Sequence, residues 1–144
     1  MKLNDDLDGI LNKMHAHGLF VCDLRPCTIL YNYDTWRVKM LHFENSFRES
    51  DTAYESVVYR GIAGPAELCS PEQISAGVGG DPSKARDVDM WQKANVLYYC
   101  FYGQYPFNSL ENVKSAEVPD KEISEEFKSL LLDSFAAFCI FLVV

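Results

Sequence analysis

Basic residues are scarce in this chain: 13 Lys+Arg stand against 21 Asp+Glu, a formal net charge of −8 over 144 residues. Nucleic-acid binding needs a basic stripe that displaces counterions from phosphates, so this balance argues against it. A solvated acidic surface that keeps the protein in solution accounts for the charge. Paired cysteines are lacking as well. The five present (Cys22, Cys27, Cys69, Cys100 and Cys139) are odd in number and form no C-x-x-C pair. That excludes a simple disulfide framework or zinc ribbon and fits reduced thiols in a cytoplasmic setting. No apolar run approaches the about 20 residues that cross a bilayer. Phe135–Val144 is uncharged but too short, and Met1-Lys2 leads into Asn4-Asp5-Asp6 rather than into the apolar core of a secretion signal. The loop Ser75–Ser83, with Gly77, Gly79, Gly80 and Pro82, lacks the Gly-Lys-Ser/Thr of a phosphate cradle and reads as a linker. There are no internal repeats.

What is there is an apolar, aromatic chain: 48% hydrophobic and 13% aromatic residues, the composition of one packed domain. Leu7, Ile10, Leu11 and Met14 share one face of a helix expected over residues 7–17, and Gly18 stands where such a helix ends. Short β-prone runs, Leu19-Phe20-Val21 and Thr28-Ile29-Leu30-Tyr31, flank the kinked Asp23-Leu24-Arg25-Pro26. Asn32-Tyr33-Asp34 reads as a hairpin turn into a strand at Arg37–Leu41. Residues 44–64 are polar, mixed in charge and aperiodic, as functional or mobile segments often are. Asp89–Tyr102 is strongly apolar and predicts a helix buried on most sides, ended by Gly103–Phe107. Ser124-Glu125-Glu126 opens a further helix, with Ser124 as its cap.

Four of these fragments stand together in a meaningful order. His15-Ala16-His17-Gly18 runs into Val21-Cys22-Asp23-Leu24-Arg25-Pro26; then come His42-Phe43-Glu44, Ser70-Pro71-Glu72, and Asp89-Met90-Trp91 followed by Gly103-Gln104-Tyr105-Pro106-Phe107. In order and spacing they resemble the catalytic loop, the D-F-G turn, the A-P-E end of the activation segment and the D-V-W…G-x-x-P-F stretch of a eukaryotic protein kinase. The likeness runs from about Leu7 to Phe135. It implies a mainly α (α+β) fold: a kinase-like carboxyl-terminal lobe with a small β-hairpin beside the catalytic loop. Residues 1–144 would form a single partial domain of that kind, from αE to about αH, without the amino-terminal lobe.

Phosphoryl transfer is positioning and charge neutralisation: metal ions bridge the triphosphate and a carboxylate orients the attacking hydroxyl. By the resemblance, Asp23 matches that carboxylate and Arg25 the catalytic-loop lysine, keeping its charge but not its compact geometry. The two metal-binding positions are degenerate. Thr28 replaces an asparagine, and His42 replaces an aspartate where magnesium wants oxygen. Glu44 replaces a glycine. Cys22 stands where many kinases carry an arginine that receives an activation-loop phosphate, and it cannot pair with one. Pro65, Leu68 and Ser70 replace threonine, tyrosine and alanine on the substrate side. The glycine-rich loop, the β3 lysine, its glutamate and the adenine hinge would all precede Met1. No cofactor is therefore expected, with ATP and magnesium entering only where an amino-terminal lobe is supplied.

Positions that resemblance assigns to packing are kept: Phe43, Pro71, Glu72, Asp89, Trp91, Gly103, Pro106 and Phe107. Asp89 is implied to accept hydrogen bonds from catalytic-loop N–H groups. Glu72 would lack its usual arginine, since none follows Arg86, and is expected to be exposed or paired nearby. The surface of the Trp91 helix and Phe138–Val144 are expected to be partly uncovered. His15 and His17 read as a solvated pair at a helix end, and a zinc site from His42, Cys22 and Cys27 lacks tight ligand spacing. The functional expectation is an inactive, pseudokinase-like scaffold or allosteric module with a protein partner. Alternatives are a piece of a longer or split kinase, and a truncated product with no function of its own.

Overall fold

A computed structural model describes residues 2–32, 34–35, 37–50, 68–76 and 85–115, with backbone alone for Phe47, Glu72, Ser75 and Ala76. Pro65, the glycines at 77–80, the helix expected from Ser124 and the Phe138–Val144 end lie outside the described residues, as does the expected environment of the Glu72 side chain. The described part is mostly helical, with two small antiparallel sheets, an α+β arrangement.

Helix α1 spans Lys2–Ala16 and starts earlier than its apolar face suggests. Leu7 and Leu11 are fully buried, with Leu3 and Met14 packed against the same core. Each such leucine contributes roughly 1.5–3 kcal/mol through burial. Asp5 in the first turn and Lys13 in the last suit the helix dipole. Gly18 ends the helix at φ +65°, its N–H donating to the His15 carbonyl at 2.9 Å. A Cβ there would also come within 3.4 Å of Glu49, so a side chain is strained and crowded at once.

Strand β1 (Leu19–Phe20) pairs antiparallel with β4 (Phe47–Arg48), and β2 (Ile29–Asn32) pairs with β3 (Arg37–Met40) in register Ile29 opposite Met40. The Asn32 side-chain oxygen accepts the Thr35 N–H at 2.7 Å, a local side-chain-to-backbone bond within the expected hairpin turn. Ile29, Val38 and Met40 pack against the core, while Leu30, Arg37 and Lys39 face outward.

Helix α2 (Pro71–Ala76) carries on through Ser75, where a loop was expected. Ser70 caps it: the Gln73 N–H donates to Ser70 Oγ at 3.2 Å and the Ser70 N–H to Gln73 Oε1 at 2.9 Å. This is a reciprocal capping box with proline at the first helical position. Helix α3 (Ala85–Tyr102) begins before the expected Asp89, and every residue from Trp91 to Tyr98 is buried. It closes on Gly103 at φ +69°, whose N–H donates to the Tyr99 carbonyl at 2.8 Å. Trp91 is fully covered, stacked on Phe107 with centroids 5.2 Å apart and planes 7° apart. The bare surface of this helix lies instead at its carboxyl-terminal end, at Tyr99 and Phe101. Helix α4 (Leu110–Ser115), capped by Ser109 Oγ on the Asn112 N–H, was not foreseen and sends Val113 into the core.

Candidate functional site

Residues Val21–Leu24 form a buried, irregular crossing between β1 and the short 3-10 turn Pro26–Thr28. Irregular backbone that is buried must find hydrogen-bond partners outside the helices and sheets. Two side chains of α3 supply them. Asp89, with no exposed surface, accepts the Val21 N–H at 3.0 Å on Oδ2 and the Cys22 N–H at 2.7 Å on Oδ1. One helical turn on, Gln92 accepts the Leu24 N–H at 2.7 Å and donates to the Cys22 carbonyl at 3.1 Å. Between them, Cys22 is held at φ 55°, a left-handed conformation that a side chain enters only when its surroundings impose it. Burial pushes the Cys22 thiol well up, with the charges of Asp89 and Asp23 adding to the effect. The group is a neutral thiol, not a nucleophile.

His15 departs from the sequence expectation. Its side chain is 5% exposed, and Nε2 lies 2.7 Å from Asp89 Oδ2. Its ring packs on Phe20 at 5.3 Å between centroids. His15 therefore ties the end of α1 to α3, and only His17 remains solvated. The histidine was misjudged because its partner sits 74 residues away, beyond any local pattern.

Asp23 is itself buried. Arg25 Nη2 donates to Asp23 Oδ2 at 2.9 Å, and Arg25 Nε lies 2.9 Å from Oδ1, close enough for attraction although poorly aligned for a hydrogen bond. Asn45 Nδ2 also donates to Oδ2 at 2.9 Å. The remaining positions singled out by sequence turn elsewhere. Thr28 is buried, with its hydroxyl donating to the Arg25 carbonyl at 2.9 Å and accepting the Arg25 N–H at 3.1 Å, so it closes the 3-10 turn. His42 is exposed at φ 60° and its Nδ1 pairs with Glu44 Oε1 at 3.0 Å. That hydrogen bond draws the Glu44 carboxyl below its usual range. Phe43, assigned a packing role, is 46% exposed and joins neither apolar cluster of the described residues. Among the described residues, no group of three His, Cys, Asp or Glu side chains could hold a metal ion. Sequence reading missed Asn45 and Gln92; neither belongs to a short motif, and each acts through a contact many residues distant.

No protein-family model matches the chain. Similarity to curated proteins is nonetheless consistent in kind. The chain is 31% identical over 105 residues to the serine/threonine-protein kinase HAL5 of Candida glabrata, covering 71% of this chain and 12% of that protein. It is 29% identical over 133 residues to the serine/threonine-protein kinase dkf-2 of Caenorhabditis briggsae, covering 80% of this chain and 10% of that protein. Over 106 residues it is 31% identical to the serine/threonine-protein kinase RUNKEL of Arabidopsis thaliana, covering 74% and 7%. These similarities support a protein-kinase relationship. The matched stretch spans about a tenth of each relative's length. Among the described residues, no helix is long and apolar enough to cross a membrane.

Proposed function

We propose that the chain is a catalytically inactive, protein-kinase-like module of the carboxyl-terminal-lobe type, acting in the cytoplasm as a scaffold or allosteric partner of another protein. One observation carries this reading: the Asp23 carboxylate is already engaged by Arg25 and Asn45. A carboxylate has about four lone-pair sites. Arg25 Nη2 and Asn45 Nδ2 both donate to Oδ2, and the Arg25 guanidinium lies 2.9 Å from Oδ1, so the carboxylate is committed to a partner within the chain rather than to a substrate hydroxyl. The metal positions support it. Thr28 spends its hydroxyl on backbone, and His42 offers nitrogen beside an exposed Glu44. Asp89 and Gln92 meanwhile hold the loop, and Trp91 the core, through contacts within the chain itself.

The test is phosphate transfer from ATP with magnesium or manganese to a generic peptide, run beside thermal shift under the same conditions. No transfer and no metal-dependent rise in melting temperature are expected. Stoichiometric transfer lost in Asp23→Asn would overturn the reading. A second reading, a segment of a longer or split kinase with weak transfer, is favoured by the retained Asp23–Arg25 pair. It requires that same metal-dependent thermal shift.

A further inference from the structure

The face where α1 meets the β2–β3 hairpin holds an open groove of about 380 Å³, within the size range of ligand and peptide pockets. Its apolar floor is Ile10 and Val38, both half-buried. Gly9 leaves the α1 wall low, since a Cβ added there would meet nothing within 4 Å. Its charges are unevenly satisfied. Lys2 and Asp6 answer one another at 3.5 Å, and Asp5 stands at the same end of α1. Lys13, about 10 Å further along the helix at 1.5 Å per residue, and Arg37 on the hairpin also line the groove. Among the described residues, neither Lys13 nor Arg37 forms an ion pair. In a chain with 21 acidic residues against 13 basic ones, two cations lining one groove with no carboxylate partner among the described residues mark a local inversion of the molecule's charge.

We propose that this groove docks an acidic peptide segment of a partner protein. One apolar side chain would sit on Ile10 and Val38, and carboxylates two or more residues away would meet Lys13 and Arg37. The proposal rests on reading the chain as an interaction module and names where and by what chemistry it interacts. Charge complementarity selects the occupant. A basic segment meets the Lys13 and Arg37 cations, and a second copy of this acidic chain would add its own net repulsion.

Fluorescence anisotropy of the full chain tests it, with a fluorescein-labelled peptide alternating Leu with Asp and a second peptide with Lys in place of Asp. Saturable binding of the acidic peptide alone is expected, weakened by salt. Lys13→Glu combined with Arg37→Glu should weaken binding by about tenfold or more. Lys13→Gln with Arg37→Gln gives the same direction should the reversed pair misfold, and Lys114→Glu, on α4 outside the groove, leaves binding unchanged. Absent or non-saturable binding, equal binding of the lysine peptide, or indifference to the Lys13 and Arg37 substitutions overturns the proposal. So does a concentration-dependent dimer that Arg37→Glu abolishes. Phosphate transfer by the same sample would sink the inactive-module reading and leave the groove standing.

Discussion

At the scale of single residues, the groups that hold this molecule together are the buried polar ones. Lys93 is 3% exposed and its Nζ lies 2.7 Å from Asp8 Oδ1, pinning α3 to α1. Desolvating an ammonium is costly, and its partner is what offsets that cost, so the two halves of the pair are not equivalent. Asp8→Ala is expected to destabilise the protein by about 3 kcal/mol, because it strands a buried cation. Lys93→Met, which removes the buried charge and keeps the volume, should be near neutral or stabilising. Urea unfolding of both variants checks this; equal losses would contradict it. Cys22 gives a pH dependence with a definite sign. Its thiol is raised by burial first and by Asp89 and Asp23 next. The folded state therefore keeps a proton that the unfolded chain gives up. That contribution is intact below the ordinary thiol value of 9.0 and is lost as pH rises past it. The urea midpoint of the wild type should fall more steeply than that of Cys22→Ala between about pH 8 and about pH 10.5. Parallel curves would show that the thiol is not protected.

At the scale of elements, the chain was readable wherever a local rule governed. The Leu7–Leu11–Met14 face, the Gly18 stop, the Asn32 turn and the apolar run of α3 each come from spacing or turn chemistry within a few residues, and each forms, although α1 and α3 both begin earlier than expected. What failed to show were partners at long range: His15 and Asp89, Asn45 and Asp23, Gln92 and the Cys22–Leu24 backbone. Nothing in a window of ten residues distinguishes a buried His15 from a solvated His17, because the carboxylate that decides it lies on another helix. Ser70 shows the local case at its sharpest. Noted in the sequence only as a replaced alanine, it proves to be the cap of α2, since Ser-x-x-Gln satisfies two N–H groups reciprocally. Ser70→Ala should cost about 1 kcal/mol, and Ser70→Thr, which keeps the hydroxyl acceptor without burying a charge, should cost less. Thermal unfolding of the pair reads this out, and equal midpoints would mean the cap is idle.

At the scale of the whole molecule, apolar side chains divide into two populations with opposite consequences. One is the core that Leu7, Leu11, Val21, Leu24, Trp91, Leu97, Tyr98 and Phe107 share, drawn from α1, the buried crossing, α3 and the turn after it. The other is bare: Leu30 and Leu41 project from the outer side of the hairpin, with Phe43 beyond them. Leu30 lies opposite Lys39 in the ladder. That places Leu41 diagonally across, near enough for the two leucines to form one patch. Removing core volume leaves a cavity that the surroundings only partly fill, whereas an exposed leucine gains nothing from the fold. Leu11→Ala should therefore lose about 2–5 kcal/mol of stability. Leu30→Lys with Leu41→Lys should leave the unfolding midpoint within about 0.5 kcal/mol of wild type and raise the concentration at which the protein self-associates. Denaturant unfolding and light scattering measure the two effects side by side. A large stability loss on making the hairpin basic would mean that this patch is covered within the folded chain and belongs with the core.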